Sequence, residues 1–184
     1  MKTIRAVAFI TILGITASAY PQSSQQTRQQ PSPELRELQG YFAGNWALSG
    51  ETKASPFAPG GQKFTSTERL EEMPGGFFLV AHSYDRNKWV GLTIIAYDQN
   101  AKEFTHTTYS ATGKVEVMKG TAQGDTLTWY QDGKVQGKPV KERMTIKKVS
   151  PVLYTFRFEI APEQGDWSLV YEGKGEKQNH PKSD

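Results

Sequence analysis

Cysteine is absent from the 184-residue chain, and its absence removes several kinds of protein at once. Without a thiol there is no disulfide, no thiolate metal ligand and no cysteine nucleophile. A chain of this length can bury a core large enough to be stable without cross-links. The lack of cysteine therefore limits the chemistry of the protein without limiting its folding.

Motifs of other catalytic classes are missing as well. The sequence has no H-E-x-x-H or related spacing for a metal, and no G-x-S-x-G turn for a serine nucleophile. Gly60-Gly61 and Gly75-Gly76 are turn glycines, and neither pair opens a helix that would bind phosphate. We predict no catalytic residue, no metal site and no cofactor. Whether the protein is an enzyme stays open, with a non-enzymatic role preferred.

A large excess of charge of one sign is also missing. The chain has 22 Lys and Arg against 19 Asp and Glu, a formal net charge of +3. Lys2 and Arg5 lie in an N-terminal leader, so 20 basic residues remain against 19 acidic ones, about +1 net. Proteins that bind nucleic acid normally carry a clustered basic face, and we predict no nucleic-acid partner.

The N-terminus has the pattern of a secretory signal peptide. Lys2 and Arg5 precede an apolar stretch, Ala6 to Ala19, that is too short to span a bilayer. Ala17-Ser18-Ala19 matches an A-x-A cleavage site and predicts a mature N-terminus at Tyr20. We therefore expect a periplasmic or secreted protein. No second apolar segment is long enough to cross a membrane, so we predict a protein that does not span one.

The polar ends of the mature chain predict one central domain. Residues 20–33 are rich in Gln, Ser and Pro and predict a flexible linker, because they offer little apolar surface to bury. Residues 178–184 predict a disordered tail, which leaves a domain over residues 34–177. Its start resembles a helix N-terminus: Ser32 precedes Pro33, and Leu35 and Leu38 lie three residues apart on one face. We expect one short helix there and no other.

Beyond that helix the hydrophobic period becomes two. Tyr154, Phe156 and Phe158 alternate with polar residues, as in a strand with one buried and one solvated face. Regularly spaced turn residues divide the chain into about ten short strands, which start near Gly44, Lys63, Phe77, Lys88, Glu103, Val115, Thr126, Val140, Leu153 and Trp167. Such spacing predicts an all-β fold, an antiparallel up-and-down barrel or a sandwich. A barrel is preferred because closure leaves no exposed edge.

Several motifs carry a resemblance to known families. Gly44-Asn45-Trp46 resembles the G-x-W opening of lipocalin-like (calycin) barrels, which implies that Trp46 plugs the closed end. A longer match covers nearly all of the chain beyond the linker and resembles the bacterial family named domain of unknown function 1579. Its segments are Ser49–Thr52, Ser66–Glu71, Met73–Val80, Ala96–Asp98 and Tyr154–Glu159. This resemblance implies a lipocalin-like barrel of no established activity.

A remoter resemblance is to nitrobindin, a ten-stranded haem-binding barrel that also carries a Trp-containing motif on its first strand. In that family a histidine near the C-terminus ligates the haem iron. Here the last predicted strand, Trp167 to Lys174, has no histidine, and His180 lies in the polar tail beside Pro181. The resemblance therefore extends to the barrel more than to its haem ligand.

Candidate ligand-binding residues are the polar and aromatic side chains expected near the barrel interior. His82 shares strand phase with Val80, and His106 shares it with Phe104, so both imidazoles could face inward, although the opposite phase around His82, Leu79 and Ala81, is also apolar. Glu68 lies near Glu71 and Glu72, a pairing that would suit glycoside hydrolysis, although nearby basic residues favour an exposed, charge-balanced surface. The full set of candidates is Trp46, Glu68, His82, Tyr84, His106 and Arg143.

Three functional hypotheses follow from these patterns. The preferred one is an exported barrel that binds a small hydrophobic molecule in its interior, because about ten strands enclose more space than eight. The second is a haem-binding protein or a histidine-dependent enzyme of nitrobindin-like type. The third is a filled barrel that serves as a protein-interaction module. The sequence does not indicate the oligomeric state.

Overall fold

The computed structural model describes residues 30–178, and the predicted leader, most of the linker and His180 lie outside them. A single helix, α1 (Pro33–Phe42), opens this part of the chain. The Oγ of Ser32 accepts a hydrogen bond from the backbone N–H of Leu35 at 3.1 Å and caps the helix. Ser32 is itself buried, so ordered structure begins slightly before the boundary predicted at residue 34.

Ten antiparallel strands follow and close into a barrel. Each strand pairs with its neighbours in sequence, and the first pairs with the last. The strands are β1 (Gly44–Thr52), β2 (Lys63–Glu72), β3 (Leu79–Asp85), β4 (Lys88–Asp98), β5 (Glu103–Ser110), β6 (Val115–Gln123), β7 (Thr126–Val135), β8 (Lys138–Ser150), β9 (Leu153–Pro162) and β10 (Ser168–Gln178). The prediction of an up-and-down barrel with one N-terminal helix is confirmed.

The predicted strand starts agree with the structure to within two residues. The largest differences are at β3, which begins at Leu79 instead of Phe77, and β8, which begins at Lys138 instead of Val140. Before β3, Gly75 and Gly76 have positive φ, and the backbone N–H of Met73 donates to the carbonyl of Phe78 at 3.0 Å. The turn therefore uses two more residues before pairing resumes.

Helix α1 covers one end of the barrel, where its buried side chains join the main core cluster. Trp46 on β1 is 0% exposed, and its indole N–H donates to the carbonyl of Phe42 at 2.7 Å. The ring of Tyr154 on β9 lies 4.8 Å from that of Trp46, and the Nζ of Lys177 lies 5.3 Å from the Trp46 ring. Trp46 thus plugs the closed end, as the G-x-W resemblance implies.

A second, smaller core lies toward the other end of the barrel. The segment between β1 and β2 folds so that Phe57 packs against Val140, Ile160 and Val170. This loop covers part of that end with apolar side chains. No helix among residues 30–178 combines the length and the apolar character needed to cross a membrane.

Candidate ligand-binding cavity

The space inside the barrel is not filled by side chains. A main cavity of about 480 Å³ occupies the middle of the barrel, and a small cavity of about 60 Å³ lies between it and the helix-capped end. Five residues line both cavities: Glu68, Thr93, His106, Ile146 and Tyr154. The two spaces therefore share one wall.

Most of the main cavity wall is aromatic or aliphatic. Its apolar lining comes from five strands: Leu48, Phe64, Met144, Ile146, Phe156 and Tyr171. The large rings of β9 fit because β10 has glycines opposite them. A Cβ atom on Gly173 would overlap Phe156, and one on Gly175 would overlap Tyr154. These glycines let the rings lie flat against the strand instead of closing the space.

Glu68 is the carboxyl group on the shared wall. Its Oε1 accepts a hydrogen bond from the Oγ of Ser83 on the neighbouring strand at 3.1 Å. Burial raises the pKa of the Glu68 carboxyl, and only the Ser83 hydrogen bond acts in the opposite direction. None of the ion pairs among residues 30–178 includes Glu68.

His106 is the imidazole of the cavity. Its Nδ1 is buried without a hydrogen-bond partner among the described residues, and its ring lies 5.0 Å from that of Trp129. Burial lowers the pKa of His106 from 6.5 to about 4, so the ring is neutral at pH 7. A neutral imidazole offers a ligand one donor and one acceptor.

The remaining polar groups of the cavity are hydroxyls. The Oγ1 atoms of Thr93 and Thr108 lie 3.0 Å apart, within hydrogen-bond distance across β4 and β5. Burial raises the pKa of both Tyr154 and Tyr171, so their phenols stay protonated at neutral pH. The lining of the main cavity thus offers hydroxyl donors and acceptors and, among residues 30–178, no lysine or arginine.

Two more carboxylates face inward above the main cavity. Glu116 on β6 is the register partner of Thr108, which lines the cavity. Glu142 on β8 lies two residues before Met144 and therefore on the same face of the strand. The Nζ of Lys114 contacts Glu116 at 2.7 Å, and Gln131 donates to Glu142. Both carboxylates are half-buried, and their charges help to raise the pKa of Tyr171.

The structure separates the six predicted site residues into two groups. Glu68 and His106 line the cavity, and Trp46 lies at its closed end. His82 and Tyr84 lie on the outer face, so the expectation that His82 faces inward is wrong. The inward phase of β3 is Leu79, Ala81 and Ser83, which places the intervening side chains outside.

Arg143 also lies outside the barrel, on the face opposite Met144. Its guanidinium pairs with Glu159 at 2.8 Å and lies 4.2 Å from the centroid of the Trp167 ring. Arg157 contacts the other oxygen of Glu159, also at 2.8 Å. This cluster holds the Trp167 ring against the barrel wall, where it does not reach the cavity.

Sequence reasoning missed six polar residues of the cavity: Thr52, Ser83, Thr93, Thr108, Tyr154 and Tyr171. Tyr154 belongs to the strand phase that was predicted to be buried, and this burial was the signal that could have placed it in the cavity. Thr108 lies in a Thr-rich strand whose two phases look alike, and Thr93 is the single threonine of a strand with apolar residues in both phases. The expectation of an exposed carboxylate surface holds for Glu71, which pairs with Arg69, but not for Glu68.

A wider concavity of about 750 Å³ lies on the outer surface of β1, β8, β9 and β10. Its walls carry side chains of both signs that pair with neighbours, including Lys53 with Glu172 at 2.9 Å and Lys174 with Glu176 at 3.0 Å. Because it is open and its charges are compensated, it is a weaker candidate for a ligand site than the interior cavity.

Fold and cavity together define the class: a closed ten-stranded antiparallel barrel with an interior cavity. The chain belongs to the family described as protein of unknown function (DUF1579), whose profile matches residues 30–177. It is similar to a solved structure, the crystal structure of Rv2717c from M. tuberculosis. That likeness has 12% identity and a TM-score of 0.53, and covers 82% of this chain and 100% of the other. It supports the fold alone. No protein of curated function matches the chain.

The residues present do not fit a haem held in the nitrobindin manner. Strand β10 carries no histidine, and the interior positions next to its partner β9 are occupied by aromatic rings packed on Gly173 and Gly175. His106 is the cavity imidazole, and it lies on β5 instead. Nothing among the described residues hydrogen-bonds its Nδ1 and fixes the ring, as a metal-ligating histidine normally requires.

Proposed function

We propose that this protein is an exported carrier that binds a small, largely apolar molecule inside its barrel. The observation that supports the proposal is the main cavity of about 480 Å³, whose wall combines aromatic and aliphatic side chains with Glu68, His106 and several hydroxyl groups. Pockets for small molecules have volumes of roughly 300–1,000 Å³ and the same mixture of wall types. A small apolar ligand therefore suits the volume and the wall.

The arrangement of the core supports the same proposal. Protein interiors are normally packed with few voids larger than a water molecule. Here the packed cluster around Trp46 ends at the wall that the two cavities share, and the space beyond that wall is unfilled. The chain does have bulky side chains that could fill such a space, but some of them lie on the outer face, such as Trp89 at 46% exposed. A filled barrel that serves as an interaction module would not leave this space open, so the cavity favours the carrier.

A matched pair of variants on β8 tests whether the cavity binds the ligand. The neutral fluorescent probe N-phenyl-1-naphthylamine is titrated into the full mature chain. Met144 lines the cavity and Thr145 faces outward. We expect the probe to bind the wild-type protein, and Met144→Trp to weaken binding at least tenfold by filling the space. Thr145→Trp should stay within about twofold.

Equal probe affinity in the two variants would place binding outside the cavity and contradict the proposal. The natural ligand is sought by native mass spectrometry of the protein purified from its own host, followed by organic extraction. A co-purified small molecule would support the carrier role and give its ligand class. The same spectrum tests export, since cleavage after Ala19 gives a chain that begins at Tyr20.

The histidine-dependent alternative has its own test. His106 lies in the cavity in the neutral form in which imidazoles bind metals, but no described residue hydrogen-bonds its Nδ1 to orient the ring. Haem added to the purified protein should give no shifted Soret band under the carrier proposal. A shifted band that His106→Gln abolishes would favour the haem alternative.

A further inference from the structure

Glu68, the one carboxyl group that lines the main cavity among residues 30–178, has a single hydrogen-bonding neighbour. Glu68 lies between the main and small cavities, and its carboxyl receives only the Ser83 hydroxyl among the described residues. A carboxylate has room for about four hydrogen bonds. A buried carboxylate is normally paired with a cation or with several donors, because burial of the charge is costly. Glu68 therefore has unused acceptor capacity directed at the ligand space.

The charges around the cavity have one predominant sign. Glu116 and Glu142 face inward above it, and Lys114 at the β5–β6 turn pairs with the first of them. The inward lysines at the closed end are held elsewhere: Lys148 pairs with Glu37, and Lys177 donates to the carbonyl of Tyr41. Among residues 30–178, no lysine or arginine lines the main cavity. A ligand carboxylate would find hydroxyl donors there but no cation, and would meet repulsion from the acids.

We propose that the ligand of this cavity carries a protonated amine on an apolar, preferably aromatic body, and that Glu68 binds the ammonium group. The inference rests on the cavity being the ligand site proposed above. An ammonium group supplies the donors that Glu68 lacks and restores charge balance in the interior. The rings of Phe64, Phe156 and Tyr171 provide faces for the apolar body and for cation–π contacts.

Three indole compounds test the head group while keeping the body constant. They are tryptamine with an ammonium, tryptophol with a hydroxyl and indole-3-acetate with a carboxylate, each titrated calorimetrically into the full mature chain at pH 7. A hydrogen bond to a charged group contributes about 1.5–3 kcal/mol, which corresponds to roughly a 10- to 100-fold change in affinity. We expect tryptamine to bind at least tenfold more tightly than tryptophol, and indole-3-acetate most weakly.

The isosteric variant Glu68→Gln tests the role of the carboxyl. It keeps the size and hydrogen-bonding ability of the side chain but removes the charge. We expect it to weaken tryptamine binding at least tenfold and to leave tryptophol within about threefold, which also shows that the variant is folded. Glu71→Gln is the control, because it removes a charge from the outer face of the same strand. It should leave all three affinities within about twofold.

The inference is overturned if tryptophol or indole-3-acetate binds the wild-type protein as tightly as tryptamine. It is also overturned if Glu68→Gln weakens tryptamine and tryptophol equally. The wild-type series needs no variant, so a misfolded Glu68→Gln would not leave the question open. Failure of the proposed function looks different: neither the indoles nor the neutral naphthylamine probe would bind in the cavity.

Discussion

Two buried tryptophans of the main core cluster, Trp46 beneath the helix and Trp129 on the wall of the small cavity, differ in how their indole N–H groups are satisfied. Both side chains are almost completely inaccessible, at 0% and 2% exposed. The indole N–H of Trp46 donates to a helix carbonyl, whereas that of Trp129 has no hydrogen-bond partner among the described residues. His106, beside Trp129, has an unpartnered nitrogen as well. The polar groups of the closed end are thus more fully satisfied than those around the cavity.

This difference separates a region that mainly stabilises the fold from a region that leaves polar groups without partners. At the closed end, Leu35 of α1 and Trp46 belong to the packed core and line neither cavity, so they contribute mainly to the stability of the fold. Around the cavity, the unpartnered groups carry a desolvation cost of about 1–3 kcal/mol each unless a ligand or water satisfies them. Unsatisfied groups at functional sites commonly lower the free energy of unfolding in this way.

The largest expected effect comes from removing the plug of the closed end. Trp46→Ala loses a fully buried indole and its hydrogen bond, and should lower the free energy of unfolding by about 3–5 kcal/mol. Urea denaturation of the mature chain measures it. Trp89→Ala removes an indole that is about half exposed, and it should change stability by about 0.5 kcal/mol or less. Similar losses in the two variants would contradict the importance assigned to the closed end.

The next effect belongs to the cavity half and depends on pH. The pKa of His106 is lowered in the folded protein. As pH falls below 6.5, the imidazole is protonated in the unfolded chain, but in the folded protein it stays neutral until about pH 4. The free energy of unfolding should therefore fall with pH across this window, by a ceiling of roughly 3 kcal/mol at 1.36 kcal/mol per pKa unit. Glu68, whose pKa is raised, acts in the opposite sense.

Because Glu68 is common to both proteins, the comparison of wild type with His106→Gln isolates the histidine. Urea midpoints measured from pH 7 to pH 4.5 should fall less steeply in the variant. Parallel curves for the two proteins would show that His106 protonates as freely in the folded state as in the unfolded chain, and would remove its role as a desolvated group.

A smaller effect tests how closely the ring of Tyr154 packs against Gly175. A Cβ on Gly175 would overlap the ring of Tyr154, so Gly175→Ala should destabilise the protein by about 1–3 kcal/mol. Gly40 is an exposed residue of α1 with open space at its Cβ position, and Gly40→Ala should stabilise by about 0.5–1 kcal/mol through helix propensity. Thermal unfolding of both variants measures the opposite signs. Stabilisation by Gly175→Ala would indicate loose packing at Tyr154.

Most of the fold follows from local patterns in the sequence. The Ser32-Pro33 cap, the two-residue period of β9 and the regular turns predicted one helix and ten strands, because capping, alternation and turn chemistry act over a few residues. The site was harder to predict. His82 was a candidate for the interior because it shares strand phase with Val80. The opposite phase of β3 is apolar too, and period alone does not say which phase meets the core.

The sequence by itself determined an all-β chain with one helix and about ten strands, because alternation, capping and turn residues act locally. The choice of a closed barrel over a sandwich also drew on the resemblance to lipocalin-like barrels, which implied Trp46 as the plug. Only the tertiary structure decided that Glu68 and His106 share a cavity while His82, Tyr84 and Arg143 face outward. The physical reason is closure: the register between strands distant in sequence sets which side chains meet across the interior, and how much space they leave.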